Sequence, residues 1–288
     1  MRKLASLFIA WMAALLTLHA QDGVRVDSLF SEYTTAHGHS YIKIACPVTD
    51  NPEFNASIIR RLKEVADGML VKESVDSLQE LHPSNPQELK AYNDLVCQHL
   101  ATALGWEWEE DVLKDMEDDS EDNFFKDVIC EHTLEFSVIN DHPRYLCACF
   151  VDYGYYGGVH GFTGIFPMIV RKSDGKFLST PFREDNLEEL RVLLKTNMRK
   201  DDFGLLELDG YGPEDADQRK EIVEMIRSYD SFPEPENAWT DGKQFFIQYQ
   251  QYEIMPYAYG APLIIVPMDI IRPYLTDEVL ELLEQNDN

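Results

Sequence analysis

An α+β fold, with an antiparallel sheet covered by helices, is the architecture this sequence predicts. Three observations carry the prediction. Stretches 41–48, 128–138 and 145–153 read as strands, the first two by the alternation of a half-buried strand. Two amphipathic helical patterns separate the first stretch from the second. Beyond 128 the chain reads as further short strands with helical insertions, punctuated by turn residues. The expected organisation is a small N-terminal α/β unit (41–105), an acidic connecting segment (106–127) and a larger C-terminal sheet unit (128–285).

Ile42, Ile44, Cys46 and Val48 share one face of the first strand, which ends near Pro47. Asn55 is the expected cap of a helix with apolar positions Ile58, Ile59, Leu62, Val65, Ala66 and Met69. The second helix has an Asn85 cap, Pro86 at its first position, Glu88 at its third and Gly105 as its stop. Leu89, Tyr92, Val96, Leu100 and Leu104 form its stripe. From Glu107 to Asp122 ten acids face one base, Lys114, which predicts a solvated connector; the central Gly of an EF-hand loop is missing.

Val128 to Val138 alternates and turns at Asn140-Asp141-His142-Pro143 into Tyr145–Tyr153, a predicted hairpin. A strand at 164–170 follows, then a Ser173-Asp174-Gly175 turn into Lys176–Leu178. Helices are expected at 186–199 and 214–228, a loop at Phe232–Asn237, strands at Gln244–Tyr252 and Leu263–Val266, and helical turns at Met268–Tyr274 and Glu278–Glu284.

The N-terminus has the zones of a secretory signal peptide over 1–20: Arg2 and Lys3, an apolar Leu4–Leu18, and Leu18-His19-Ala20 before Gln21. Its apolar run is short for a membrane span, which takes about 20 residues. The expectation is an exported periplasmic or extracellular protein, soluble and without a membrane span after cleavage. The formal charge of −27 disfavours nucleic acid and anionic membranes as partners and favours cationic ones. Five cysteines, at 46, 97, 130, 147 and 149, cannot all pair within one chain, and alternation puts Cys147 and Cys149 on one strand face. None has metal-ligand spacing, so no metal and no cofactor is expected.

Two segments stand out. In the first, Tyr153-Gly154-Tyr155-Tyr156-Gly157-Gly158-Val159-His160-Gly161, the glycines are expected to permit positive φ and close backbone approach. The tyrosines supply rigid contact surface. The second, Tyr249-Gln250-Gln251-Tyr252-Glu253-Ile254-Met255-Pro256-Tyr257-Ala258-Tyr259-Gly260, reads as a tyrosine-rich strand running into a glycine turn. The first is neither a P-loop nor a dinucleotide fingerprint.

The order Tyr-x-Gly-Gly-x-His-Gly, Asp-Gly-Lys, Tyr-Glu-Ile-x-Pro-Tyr-x-x-Gly and a Pro-containing last strand resembles the extracellular domain of the lysozyme-sensing anti-sigma factor RsiV. The same domain accompanies the catalytic domain of some polysaccharide deacetylases and occurs in secreted bacterial proteins of unknown function. The motif region covers 128–275, and Tyr41–Val48 with the following helix is similar to the smaller N-terminal part. Val159 departs from the family's usual Ala. What the resemblance implies is an extracytoplasmic binding fold.

The leading reading is therefore a non-catalytic module recognising an envelope protein or cell-wall glycan, including a cationic lysozyme-like protein. Its candidate ligand-binding residues are Tyr153, Tyr155, Tyr156, Gly157, Gly158, His160, Gly161, Tyr252, Glu253, Tyr257, Tyr259 and Gly260. The alternatives are a cell-wall hydrolase or esterase centred on His160, with Asp152 and Glu253 as its partners, and a structural envelope protein. Neither a Gly-x-Ser-x-Gly elbow nor a His-Glu-x-x-His pair supports the hydrolase. The two tyrosine–glycine segments are expected to lie side by side at one end of the sheet.

Overall fold

The computed structural model describes residues 24–70, 78, 80–114, 124–178, 180–197, 220, 224–254, 257 and 260–284. The leader expected at 1–20, most of the helix expected at 214–228, and Tyr259 lie outside the described residues.

Six strands form the main sheet in sequence order: β1 (Arg25–Thr34), β2 (Gly38–Val48), β3 (Cys130–Asp141), β4 (Tyr145–Tyr155), β5 (Phe162–Arg171) and β6 (Phe177–Leu178). All neighbours are antiparallel except β2 and β3, where Gly38–Ile44 pairs in parallel with Cys130–Phe136. The sheet is thus mixed, not purely antiparallel. A parallel step needs a crossover of a dozen or more residues. Two helices supply it: α1 (Pro52–Gly68) and α2 (Pro86–Trp108). One sheet therefore runs through both units expected from the sequence.

Both helix ends expected from the sequence shift. The α1 cap is Asn51, whose side chain accepts from the amides of Glu53 and Phe54 and places Pro52 at the first helical position. Asn55 lies inside the first turn and instead bonds both backbone groups of Thr49. Asn85 caps α2 as predicted, but Gly105 does not stop it; the helix continues to Trp108 and into a π-helical turn, Glu109–Leu113. Gly105 instead faces the Thr35 side chain and the first residue of β2, Gly38.

The helices cover one face of the sheet. Ile42, Ile44, Leu134, Phe136, Leu146, Phe150 and Val170 meet Phe54, Ile58, Leu62, Leu89, Val96 and Leu100 there. Burying each such side chain contributes about 1.5–3 kcal/mol. A second core lies against the other face, where Tyr145, Cys147 and Ile169 meet a three-stranded antiparallel sheet. That sheet comprises β7 (Asn237–Thr240), β8 (Gln244–Gln248) and β9 (Leu263–Pro267). Helix α3 (Leu187–Asn197), α4 (Met268–Ile271) and α5 (Asp277–Glu284) complete this layer. β4 is buried on both faces over Tyr145–Phe150, which accounts for its unbroken apolar run. β1 and β7 lie outside the predicted strands.

All five cysteines are free thiols and buried. Cys147 and Cys149 share a face, as alternation predicts: Cys147 meets the β7–β9 layer, while Cys149 packs with Ile165 and Ala261. Among the described residues no helix is long and apolar enough to cross a membrane, and no His/Cys/Asp/Glu group is placed to hold a metal ion.

Candidate functional site

β8 ends at Gln248 rather than at Tyr252. The chain then turns through Gln250–Ile254, because the side chains of Gln250 and Gln251 dock on the open edge of β5. Gln250 accepts from the Ile165 amide at 2.8 Å and donates to the Ile165 carbonyl at 2.6 Å. Gln251 accepts from the Thr163 amide at 3.1 Å. β6 pairs only with Ile169 and Val170, so these amides close an edge that no strand covers among the described residues.

This docking brings the two tyrosine–glycine segments together. The His160 ring stacks on Tyr257, with centroids 3.8 Å apart and planes at 15°. Its Nε2 lies 3.2 Å from the Tyr252 hydroxyl, and its Nδ1 lies 3.0 Å from the Gly161 carbonyl. A carbonyl only accepts, so in the neutral ring Nδ1 carries the proton and Tyr252 donates to Nε2. Tyr252 sits at φ 66°, a left-handed conformation that costs a non-glycine residue about 1–2 kcal/mol. It is 58% exposed all the same. Tyr153 lies beneath, its ring where a β-carbon on Gly161 would be, and burial pushes its phenol up to about 12.

The carboxylates expected beside His160 point elsewhere. Asp152 is on the helix-covered face, bonded to His132 Nε2 at 2.9 Å. Glu253 accepts from the Gln250 amide at 2.6 Å; shielding by its surroundings raises its carboxyl above the ordinary range, which that amide partly offsets. Both His160 nitrogens have other partners, so the grouping of His160 with Asp152 and Glu253 expected of a hydrolase is not assembled.

The other candidates separate. Tyr155 is half-buried against the cluster of Leu104, Trp108 and Val128, whereas Tyr156 is 58% exposed. The glycines act differently from the expectation. In the 154–161 loop only Gly157 has positive φ, at 80°, where Trp108 covers it. Gly154, Gly161 and Gly164 instead make room for rings, those of Tyr156, Tyr153 and Phe166. Gly158 is open, and Gly260 ends the second turn with φ 80°. A cavity of about 420 Å³ lies away from this corner, between α1 and the β5–β6 turn, lined by Arg60, Glu64 and Lys176. Sequence reasoning missed Gln250, Gln251 and Trp108 as organisers of the corner; the paired glutamines at the end of an apolar strand were the available signal.

Fold and corner together define a two-sheet α+β protein whose strand ends carry an exposed histidine–tyrosine cluster. Residues 181–269 match the model of a family described as a protein of unknown function, DUF3298. That segment contains the β7–β9 sheet and residues 250–260. The chain is similar in structure to a DUF3298 family member from Bacteroides fragilis, with a TM-score of 0.66 and 18% identity over 92% of this chain and 99% of that one. It is also similar to a DUF3298 family protein from Pseudomonas aeruginosa, with a TM-score of 0.52 and 14% identity over 90% and 97% of the two chains. At these identities the likeness is one of fold. No curated protein matches the chain.

Proposed function

We propose that this chain is an exported, non-catalytic binding module with a fold like the RsiV extracellular domain, and that its histidine–tyrosine corner recognises a basic envelope protein. The supporting observation is Tyr252: a strained backbone holds a large ring in solvent, with its hydroxyl on His160, whose ring stacks on Tyr257. Strain of this kind clusters at sites of recognition. Tyrosines on rigid turns are common interface anchors. The chain's net charge of −27 supplies long-range attraction for a cationic partner.

A basic lysozyme immobilised on a sensor tests the reading at low and high salt. Expected are retention that weakens with salt and a loss of about 1–3 kcal/mol in Tyr252→Ala. Equal binding by wild type and Tyr252→Ala, or no retention at low salt, would overturn it. Export is tested separately: the mature mass should begin at Gln21, and a species retaining Met1 would refute the leader.

A further inference from the structure

The other face of the same strand ends carries a second aromatic surface, unconnected with His160. Strand register puts Asp152 opposite Gly164 and Gly154 opposite Phe162. All four lie on the helix-covered face, because Asp152 also pairs with Leu134 of the first core. α2 reaches only the edge of this corner, where Trp108 covers Gly157. Tyr156 lies over Gly154 and Phe166 over Gly164, each ring filling the place of the missing β-carbon. Their outer surfaces remain open: Tyr156 is 58%, Phe162 51% and Phe166 40% exposed. Among these rings sits one hydrogen-bonded pair, His132 Nε2 with Asp152 at 2.9 Å, and the Tyr156 ring meets His132 edge-on at 6.3 Å. Asp152 keeps 44% of its side chain exposed and His132 only 15%, so a half-buried imidazole holds a half-open carboxylate.

We propose that this glycine-floored platform binds a neutral glycan chain. A pyranose ring has an apolar C–H face, which stacks on an aromatic ring, and a rim of hydroxyls, which donate to a fixed carboxylate. The surface offers both groups: Phe162 and Phe166 flank Asp152 as its diagonal neighbours across the strand pair, about 7–8 Å away. From Phe162 to Phe166 it extends about 13 Å along β5, the length of a short oligosaccharide. A protein partner fits less well, because the centres of protein interfaces are depleted of charge and Asp152 stands at the centre here.

Soluble chitohexaose and cellohexaose, titrated calorimetrically against the full chain, are the probes. Saturable binding of at least one is expected. Phe162→Ala should weaken it about tenfold or more, since Phe162 covers no glycine and can be removed without opening the fold. Phe162→Tyr should retain it. Asp152→Asn keeps an acceptor, loses the charge, and should weaken binding less than Phe162→Ala. Tyr252→Ala, on the opposite face, should leave it unchanged, which separates this platform from the protein-binding corner. The proposal is overturned if neither sugar binds, or if Phe162→Ala binds as wild type with an unaltered melting temperature. It is equally overturned if sedimentation shows a dimer that Phe162→Asp dissolves, since a second copy would then cover the rings.

Discussion

The side-chain amide of Gln250 makes with Ile165 the two hydrogen bonds that a neighbouring strand would make: one accepted from the amide, one donated to the carbonyl. An edge of β5 is closed in this way by side chains, and the same contact fixes where Tyr252 and Tyr257 stand.

Gln250→Ala should therefore act on stability and on the corner together. Ile165 would keep a backbone donor and acceptor without partners, at a cost of about 1–3 kcal/mol. Hydrogen exchange at the Ile165 amide should accelerate, and the free edge should promote self-association at high concentration. Urea denaturation and exchange measurements would check this. An Ile165 amide as protected in the variant as in the wild type would refute the strand-mimic role.

How legible this arrangement is in the sequence depends on the range of the force involved. The β3–β4 hairpin, the β5–β6 turn and the Asn85 cap are local, and periodicity and turn chemistry reveal them. The side-by-side placement of the two tyrosine segments is also legible, since each follows a strand and strand ends gather. The parallel β2–β3 pairing is not, because nothing in either strand's alternation records its partner's direction. Nor is the early end of β8: Gln244 to Tyr252 reads as one strand, and only the long-range docking of Gln250 and Gln251 on β5 bends it. Asp152 sits one residue from Tyr153, yet alternation sends it to the opposite face from His160. The glycines of 154–161 read as sites of positive φ and close backbone approach, but Gly154 and Gly161 seat the rings of Tyr156 and Tyr153, and Gly157 lies under Trp108 from α2.

The five cysteines should be inert in the folded protein. Burial pushes the thiols of Cys46, Cys97, Cys147 and Cys149 up to about 12, and that of Cys130 to about 11. The reactive thiolate is thus scarce at neutral pH and physically shielded. A colourimetric thiol reagent near neutral pH should titrate none of them in native protein and all five after denaturation. A native thiol that reacts at once, or an intact mass two hydrogens short, would contradict the buried free-thiol state.

His39 should make stability depend on pH. It sits on β2 between two carboxylates on the flanking strands, with Nδ1 2.9 Å from Glu131 and Nε2 3.0 Å from Glu32. Both ring nitrogens can donate only when the ring is charged. The Glu131 hydrogen bond chiefly raises its pKa above the ordinary 6.5, burial works against this, and Glu32 adds to the rise. A folded pKa above the unfolded one means that the stabilisation is complete below about 6.5 and is lost as pH rises through the folded value. The stability difference between wild type and His39→Gln should therefore shrink between about pH 6 and pH 9. A difference that stays constant or grows over that range would exclude the charged bridge.

Gly38 and Gly105 should respond differently to the same substitution, although both lie where α2 crosses β2. A β-carbon on Gly38 would stand 1.9 Å from the Ala101 carbonyl oxygen and 2.8 Å from the Gly105 amide nitrogen. Both are backbone atoms, so helix and strand would have to part. The contact also holds Thr35, whose hydroxyl accepts from the Gly38 amide at 2.9 Å and lies 3.2 Å from the Ala101 carbonyl. Separation would break that bridge as well, and overpacking of this kind costs about 1–3 kcal/mol or more. On Gly105 a β-carbon would meet first the Thr35 hydroxyl, at 2.6 Å, with the Gly38 amide at 3.4 Å. Gly105 also lies within a helix, where alanine is favoured by about 1 kcal/mol, which offsets part of the clash. Denaturant unfolding should thus show Gly38→Ala as the more destabilised variant by a wide margin, with Thr35→Ser and wild type close together. The close-packed crossing is refuted if Gly38→Ala is as stable as wild type. It is refuted too if Gly105→Ala proves the worse of the two, since the tight contact would then be that of Gly105 with the Thr35 hydroxyl rather than that of Gly38 with the helix backbone.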